Sequence, residues 1–279
     1  MVFESLITPW RAEKKPWEML FFGFLYASFS VALGLWIFRD HAGLISVFFT
    51  VMFCIPLIYN TLKVEEEKTN YISEERSLLR EHSRALAFFI FLFIGMTLAF
   101  ATWFVAMPSE VSQSVFSVQM RTIADINTKA VGSAVLNSDI LSTIIFNNIR
   151  VLTFCLLFSL FFGAGAIFIL TWNASIIAVA MGTLIKSYVL ATNSGFIIAH
   201  VGAYSNAVLR YFIHGIPEMA AYFVGALAGG IISVAIVRKD IMTKNFQKIA
   251  FDTSNLIILS ILLLIVAGVV ETYVTPFFY

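Results

Sequence analysis

A few ionisable and amide side chains interrupt long apolar stretches of this chain, and they are the residues that could do chemistry. Lys186 lies within the apolar stretch 172–190, and Glu218 follows His214 by four residues within the stretch 211–237. A charge at the centre of a bilayer costs roughly 2.5–3.5 kcal/mol on insertion scales, so such residues are kept mainly where they find a partner or water. We therefore predict an intramembrane polar cluster. Its members are Asn147, Asn148, Arg150, Lys186, His214, Glu218 and Glu271.

Each member of this cluster has a structural and a functional interpretation. Glu218 either pairs with a nearby Lys or Arg side chain or binds a ligand or a proton, and Lys186 is either buried or extends to the membrane interface. His214 is a structural imidazole or a metal ligand, and the asparagines join helices or contact a ligand. Two candidate ligands, His214 and Glu218, do not make a zinc site, and the H-E-x-x-H and G-x-S-x-G motifs are absent. We therefore expect no catalytic residue, no metal and no cofactor.

The elements that must position these residues are membrane-spanning helices. The chain has 279 residues, of which 59% are hydrophobic and only 13% are charged, and its net charge is +1. A soluble domain carries about 25% charged residues, and long apolar stretches are typical of a polytopic helical membrane protein. We predict an all-α transmembrane helical bundle of about seven spans, with no nucleic-acid partner. The predicted spans are 19–38, 43–59, 85–107, 149–171, 172–190, 211–237 and 256–275.

The distribution of lysine and arginine predicts how the bundle is oriented. With the N-terminus cytoplasmic and the C-terminus outside, twelve of the 18 basic residues fall on the cytoplasmic side, as the positive-inside rule requires. The chain then divides into an N-terminal tail with a two-span hairpin (1–59), a cytoplasmic connector helix (60–84) and a five-span core (85–279). The basic connector could bind anionic lipid headgroups, or it could be an ordinary solvated linker.

Two connections within the core follow from local patterns. Apolar residues recur at three- and four-residue steps in the segment 108–148, which predicts an amphipathic helix lying on the outer membrane surface. Asn173 is the polar break between the fourth and fifth spans, so we predict a tight turn there. This topology puts the polar cluster at one level in the outer half of the membrane, with Asn147, Asn148 and Arg150 at the outer end of the fourth span.

Small residues in the same spans predict close helix packing. They let helix backbones approach each other in lipid, where apolar burial gives no driving force. The contacts lie either within the monomer or at the interface of a homo-oligomer. The predicted packing residues are Gly163, Gly165, Gly182, Gly225 and Gly229.

The order of these motifs resembles that of one known family. The chain contains, in this order, Asn147-Asn148, Phe162-Gly163-Ala164-Gly165, Asn173-Ala174 and His214-Gly215-Ile216-Pro217-Glu218. This succession, over about 85–270, resembles the stage II sporulation protein M (SpoIIM) family, although the family's Asn-Gly turn is Asn173-Ala174 here. The resemblance implies a polytopic protein without an established enzymatic activity. Sporulating members act in an envelope-remodelling complex, where they hold cell-wall hydrolases at the membrane.

Two functions remain open from the sequence. A multi-pass protein of the cell membrane with this resemblance is expected to be a scaffold or assembly factor that binds envelope proteins. An intramembrane cluster of charges also fits a transporter or channel, which would need a water-filled cavity reaching Lys186 and Glu218. A dry interior around both residues would argue against transport.

Overall fold

The chain folds into a bundle of helices. A computed structural model describes residues 15–71, 75–124, 137–162, 165–191, 196–237 and 244–275, which are helical almost throughout and contain no strand. This confirms the predicted all-α class. The helices are α1 (Glu18–Ile37), α2 (Ala42–Tyr71), α3 (Glu75–Ala106), α4 (Ser109–Val115), α5 (Asn137–Phe162), α6 (Ala166–Ala191), α7 (Phe196–Val237) and α8 (Lys244–Val269). A 3-10 turn, Arg39–His41, follows α1, and a π-helical turn, Val270–Val274, extends α8.

Seven of the described helices contain a stretch long and apolar enough to cross a membrane, which confirms the predicted number of spans. These stretches are Glu18–Ile37, Ala42–Lys68, His82–Ala106, Ile140–Phe161, Ala166–Ala191, Gly215–Val237 and Phe246–Val274. Because each span crosses once, consecutive spans run in opposite directions. We call the side where α1 begins the near side and the side where it ends the far side. That the near side is cytoplasmic stays a prediction.

Many of the described hydroxyl side chains inside the spans are satisfied by the helix that carries them. Ser30 donates to the Tyr26 carbonyl at 2.7 Å, and Thr97 donates to the Phe93 carbonyl at 2.9 Å. The same bond to the carbonyl four residues earlier is made by Ser46, Thr50, Thr61, Thr183, Thr253 and Thr272. Lipid offers no hydrogen-bond partner, so this bond allows small polar residues to remain in a span.

The N-terminal hairpin packs against the rest of the bundle through glycine. A Cβ atom on Gly23 of α1 would collide with the backbone carbonyl of Leu92 in α3, and one on Gly95 would collide with the carbonyl of Leu20. The missing side chains therefore let the two backbones touch, as small residues do in membrane helices. Residues of the hairpin and of the predicted five-span core share one apolar interior.

The turn between the fourth and fifth spans is not at Asn173, so that prediction is wrong. α5 ends at Phe162 and α6 begins at Ala166, which places Asn173 inside α6. There its Nδ2 donates to the Ile169 carbonyl at 2.9 Å, so the amide is satisfied without a turn. The sequence between the two helices is Gly163-Ala164-Gly165, and glycine disfavours the helical state.

This shift of the turn moves three predicted site residues into the membrane. The fourth span is Ile140–Phe161 rather than 149–171. Asn147, Asn148 and Arg150 therefore lie within the span and not at its outer end, which corrects the predicted position. The sequence was misleading because these polar residues resemble a span boundary, whereas α5 begins ten residues or more before them.

Two other predicted segments are divided among the helices. Segment 60–84 provides the end of α2 and the start of α3, so it is not a separate connector helix. In segment 108–148, α4 is followed by a helical stretch at 117–124, and the last residues belong to α5. Residues 125–136 lie outside the described residues. The three-part division of the chain stays a prediction.

The sixth span belongs to a much longer helix than its apolar stretch indicates. α7 has 42 residues and continues through Pro217, with the span at Gly215–Val237. Its first half packs along α6, where Ala203 and Ala207 meet Met181 and Ile185 in a small apolar cluster.

Candidate functional site

Lys186 joins three helices at the far side of the bundle. Its Nζ donates to the Met107 carbonyl at 3.0 Å and to Ser112 Oγ at 2.8 Å, and it lies 4.9 Å from the centre of the Phe104 ring. The charge is thus held by a helix-end carbonyl, a hydroxyl and an aromatic face. Within the described residues Lys186 forms no ion pair, so the predicted pairing with Glu218 is not observed.

The residues that follow Ser112 pack against the bundle, and Gln119 anchors them there. Gln119 is fully buried, and its Nε2 lies 3.4 Å from the Gly43 carbonyl and 3.4 Å from Ser175 Oγ. Val118, which belongs to the predicted apolar stripe, is 43% exposed. Val115 of the same stripe is buried and Val111 packs against the apolar interior, and the polar side chains of Ser112 and Gln119 also anchor the segment. That the segment 108–148 is an amphipathic helix on the outer membrane surface stays a prediction.

Glu218 is bonded within its own helix. Tyr222 is fully buried, and its hydroxyl donates to Glu218 Oε1 at 2.7 Å. The π-helical turn that carries the half-buried Glu271 packs against α7, the helix of Glu218. These two residues, which we call the acid pair, have no salt bridge to a described basic residue. The side chain of His214 lies outside the described part of the chain.

Asn148 is buried in α5 at about the depth of Tyr222, the partner of Glu218. α5 and α7 run parallel, because Leu152 lies over Gly225 and Leu156 lies over Gly229. Asn148 is one turn before Leu152 on the same buried stripe, which places it beside Tyr222 of α7. Its buried Nδ2 has no hydrogen-bond partner among the described residues. Asn148, Tyr222 and the acid pair together form a polar site that could hold a proton or a small cation.

The predicted cluster is therefore not a single site at one level. Lys186 is level with Met107, which follows the end of α3, whereas Phe223 stacks on Phe89 in the middle of α3 with ring centres 5.4 Å apart. Glu218, five residues before Phe223, thus lies deeper in the membrane than Lys186. Asn147 and Arg150 are exposed on the other side of α5 and do not reach the acid pair.

A second polar group, which the sequence did not indicate as a site, lies at the near side. Glu65 of α2 accepts hydrogen bonds from Lys68 Nζ and from His82 Nδ1, both at 2.6 Å. His82 Nε2 lies 3.1 Å from Asp252 Oδ2 of α8. All four side chains are buried. We call Glu65, Lys68, His82 and Asp252 the near-side network, and it connects α2, α3 and α8.

The chemistry of the near-side network follows from its hydrogen bonds. An ionised carboxylate only accepts, so a His82 imidazolium with two N–H groups satisfies both carboxylates. Both ring nitrogens are then used, and neither is free to bind a metal. Among the described residues, no group of three or more His, Cys, Asp or Glu side chains could hold a metal ion. The one signal in the sequence was the Glu65–Lys68 spacing at the end of a span.

The predicted packing glycines have defined neighbours within the chain. Gly182 lies against the Phe104 ring, Gly225 against Leu152, and Gly229 against the Leu156 carbonyl. Gly165 is in the turn before α6. Gly163 lies outside the described residues.

Small cavities lie in the described interior, and two of them have no charged residue in their lining. The first is surrounded mainly by apolar side chains of α2, α6 and α7, and the second lies between α3 and the start of the sixth span, near Gly215. Each has room for about one or two water molecules. Neither is lined by Lys186 or Glu218.

Among the comparisons with known proteins, the match is to a protein family. No curated protein and no solved structure matches the chain. The family model of SpoIIM, described as Stage II sporulation protein M, matches residues 85–276, which is more than half of the chain and covers four of its seven spans completely and most of a fifth. This multi-pass helical membrane protein therefore belongs to the SpoIIM family.

Proposed function

We propose that this chain is a non-enzymatic scaffold or assembly factor for a cell-envelope or membrane-remodelling complex. Its place is the cell membrane, with the near side in the cytoplasm. Its partners are envelope proteins, and basic residues of the near side contact anionic lipid headgroups. A homo-oligomer is compatible with this role. The proposal extends the SpoIIM resemblance, and the arrangement of charges in the bundle supports it.

The observation that carries the proposal is that most buried charges are used within the chain. Lys186 is held by the Met107 carbonyl and Ser112 Oγ, and both ring nitrogens of His82 face carboxylates. Charged groups that bond to neighbouring helices hold those helices in place. Their hydrogen-bonding atoms are then not available to a substrate. A bundle in which most of the buried charges are satisfied internally suits a protein that works through its outer surface.

The interior also gives transport little support. A transporter or channel needs a polar path, and conduction through helices is built around charges that water or substrate can reach. The two small cavities described above are lined mainly by apolar residues, and neither is lined by Lys186 or Glu218.

The test is capture of partners in the native membrane. A tagged chain is crosslinked in cells, extracted and compared by quantitative mass spectrometry with an unrelated tagged membrane protein of equal abundance. The proposal predicts one or a few envelope proteins enriched at defined stoichiometry. Recovery of the chain alone under every crosslinking chemistry would overturn it.

A second candidate function, transport or conduction, is favoured by the acid pair alone. Glu218 and Glu271 lie inside spans that pack on each other, and the buried Asn148 Nδ2 has no hydrogen-bond partner in the described part of the chain. The chain reconstituted in liposomes would then move protons or monovalent cations, and Glu218→Gln would abolish the flux. Flux equal to that of empty liposomes would dismiss this candidate.

A further inference from the structure

Arg150 lies near the middle of the membrane. It is ten residues, or about 15 Å, from the start of the span Ile140–Phe161 and eleven residues from its end. Contacts between helices give the same depth. Leu152, two residues after Arg150, lies over Gly225 of α7. Gly225 is two residues after Phe223, and Phe223 stacks on Phe89 in the middle of α3. Arg150 is therefore level with the centre of the bundle.

The Arg150 side chain is exposed on the outer surface of α5. Within the described part of the chain, its guanidinium group makes no hydrogen bond and no ion pair. An extended arginine side chain reaches about 7 Å from Cα, which leaves it well short of either membrane interface. A permanently charged group with five N–H donors thus faces the lipid tails unless another molecule covers it.

The surroundings of Arg150 have the form of a helix-docking surface. α5 is the least covered of the seven spans, with only 22% of its apolar window buried. Asn147 is exposed one turn before Arg150. Large apolar side chains flank the two polar residues, and Phe146 is 74% and Phe154 is 45% exposed. An apolar face with a polar centre is what a second membrane helix with a matching polar residue would cover.

The charge of Arg150 and its depth in the membrane indicate which molecule covers this face of α5. Lipid phosphates lie at the interfaces, outside a hydrocarbon core about 30 Å thick, so they do not reach Arg150 without deforming the bilayer. A second copy of the chain offers no exposed carboxylate at this depth among the described residues, since Glu218 is half-buried and bonded to Tyr222. A carboxylate on a helix of another protein satisfies the guanidinium with paired hydrogen bonds.

We propose that the Asn147–Arg150 face of α5 binds a transmembrane helix of a partner protein that carries an Asp or Glu near the bilayer centre. The proposal rests on the scaffold function above and names the surface and the partner chemistry that serve it. The Arg–carboxylate pair fixes the depth and register of the partner, and the flanking apolar side chains provide the contact area.

Designed helices test this surface without the natural partner. The full chain, labelled with a donor dye on the far side, is reconstituted in liposomes with acceptor-labelled polyleucine helices that carry Glu, Gln or Leu at the central position. Energy transfer measures association. We expect the Glu helix to associate about tenfold more tightly than the Leu helix, with the Gln helix between them.

Variants at Arg150 provide the matched controls. Arg150→Leu should bind the Glu and Leu helices equally, Arg150→Lys should keep most of the preference, and Arg150→Glu should prefer a helix with a central Lys. Since Arg150→Leu removes an exposed charge from a span, it should not harm folding, which size-exclusion chromatography checks.

Three results would overturn the proposal. They are equal binding of the Glu and Leu helices by the unmodified chain, an unchanged preference in Arg150→Leu, and Arg150-dependent association between two differently labelled copies of this chain. None of these results affects the scaffold proposal, which is tested by partner capture in native membranes. Conversely, if partner capture fails, the preference for the designed Glu helix can still be measured.

Discussion

The near-side network makes a quantitative prediction about stability, tested by Glu65→Ala. Glu65 is fully buried, and its two carboxylate oxygens accept separate hydrogen bonds, from Lys68 Nζ and from His82 Nδ1, both at 2.6 Å. Removing the carboxylate leaves Lys68 without this buried acceptor and leaves His82 with Asp252 alone. The variant therefore removes a negative charge from beside Lys68 and His82, where three helices meet.

The expected loss follows from the kind of bonds removed. A hydrogen bond to a charged group contributes about 1.5–3 kcal/mol, and breaking a buried ion pair by deleting one partner costs about 3–5 kcal/mol. Because the two bonds of Glu65 share one carboxylate, we do not add them, and we expect a loss of about 3–5 kcal/mol in the free energy of unfolding. The matched control is Glu67→Ala on the same helix, where the side chain is exposed and about 0–1 kcal/mol is expected.

The assay is reversible unfolding in mixed micelles with increasing SDS, followed by the fluorescence of the five tryptophans. A double-mutant cycle with His82→Ala should give a coupling energy of about 1–3 kcal/mol. A loss below about 1 kcal/mol, equal to that of the Glu67 control, would refute the network's structural role.

Further predictions concern packing, the far-side anchor and orientation. Gly95→Ala should lose about 1–3 kcal/mol because its Cβ meets the α1 backbone, whereas Gly215→Ala, with open space around its Cβ, should be neutral or stabilising in the same assay. Lys186→Met should lose about 1–3 kcal/mol and raise hydrogen exchange in α4, and unchanged exchange would contradict the anchor. Single cysteines at the exposed Glu67 and Glu110 should react with impermeant maleimide from the cytoplasm and from outside, respectively; the reverse pattern would invert the predicted orientation.

The sequence predicted the class and the number of spans because hydrocarbon selects long apolar stretches whatever their neighbours are. It failed where a polar residue resembled a boundary. Asn173 satisfies its amide on the Ile169 carbonyl four residues earlier, so a polar residue that suggested a turn lies within a continuous helix. The error at this single position also misplaced Asn147, Asn148 and Arg150.

The sites depended on contacts between residues far apart in the chain. Glu65 and His82 are 17 residues apart, and Asp252 is 170 residues from His82, so nothing local indicated that they meet. Asn148 and Arg150 are two residues apart, yet one is buried and the other exposed, because only the helix packed on α5 decides which face is covered. The sequence located these polar residues in α5 but did not determine their roles.

The account's central claim is that this chain works through its lipid-facing surface by binding another membrane-embedded protein. A photocrosslinking amino acid placed at Phe146 or Phe154, beside Arg150, tests it most directly in native membranes. The account predicts one discrete crosslinked protein with an Asp or Glu inside a membrane span, lost in Arg150→Leu and kept in Arg150→Lys. Crosslinks only to lipid or to this chain itself, or a product that Arg150→Leu leaves unchanged, would contradict it.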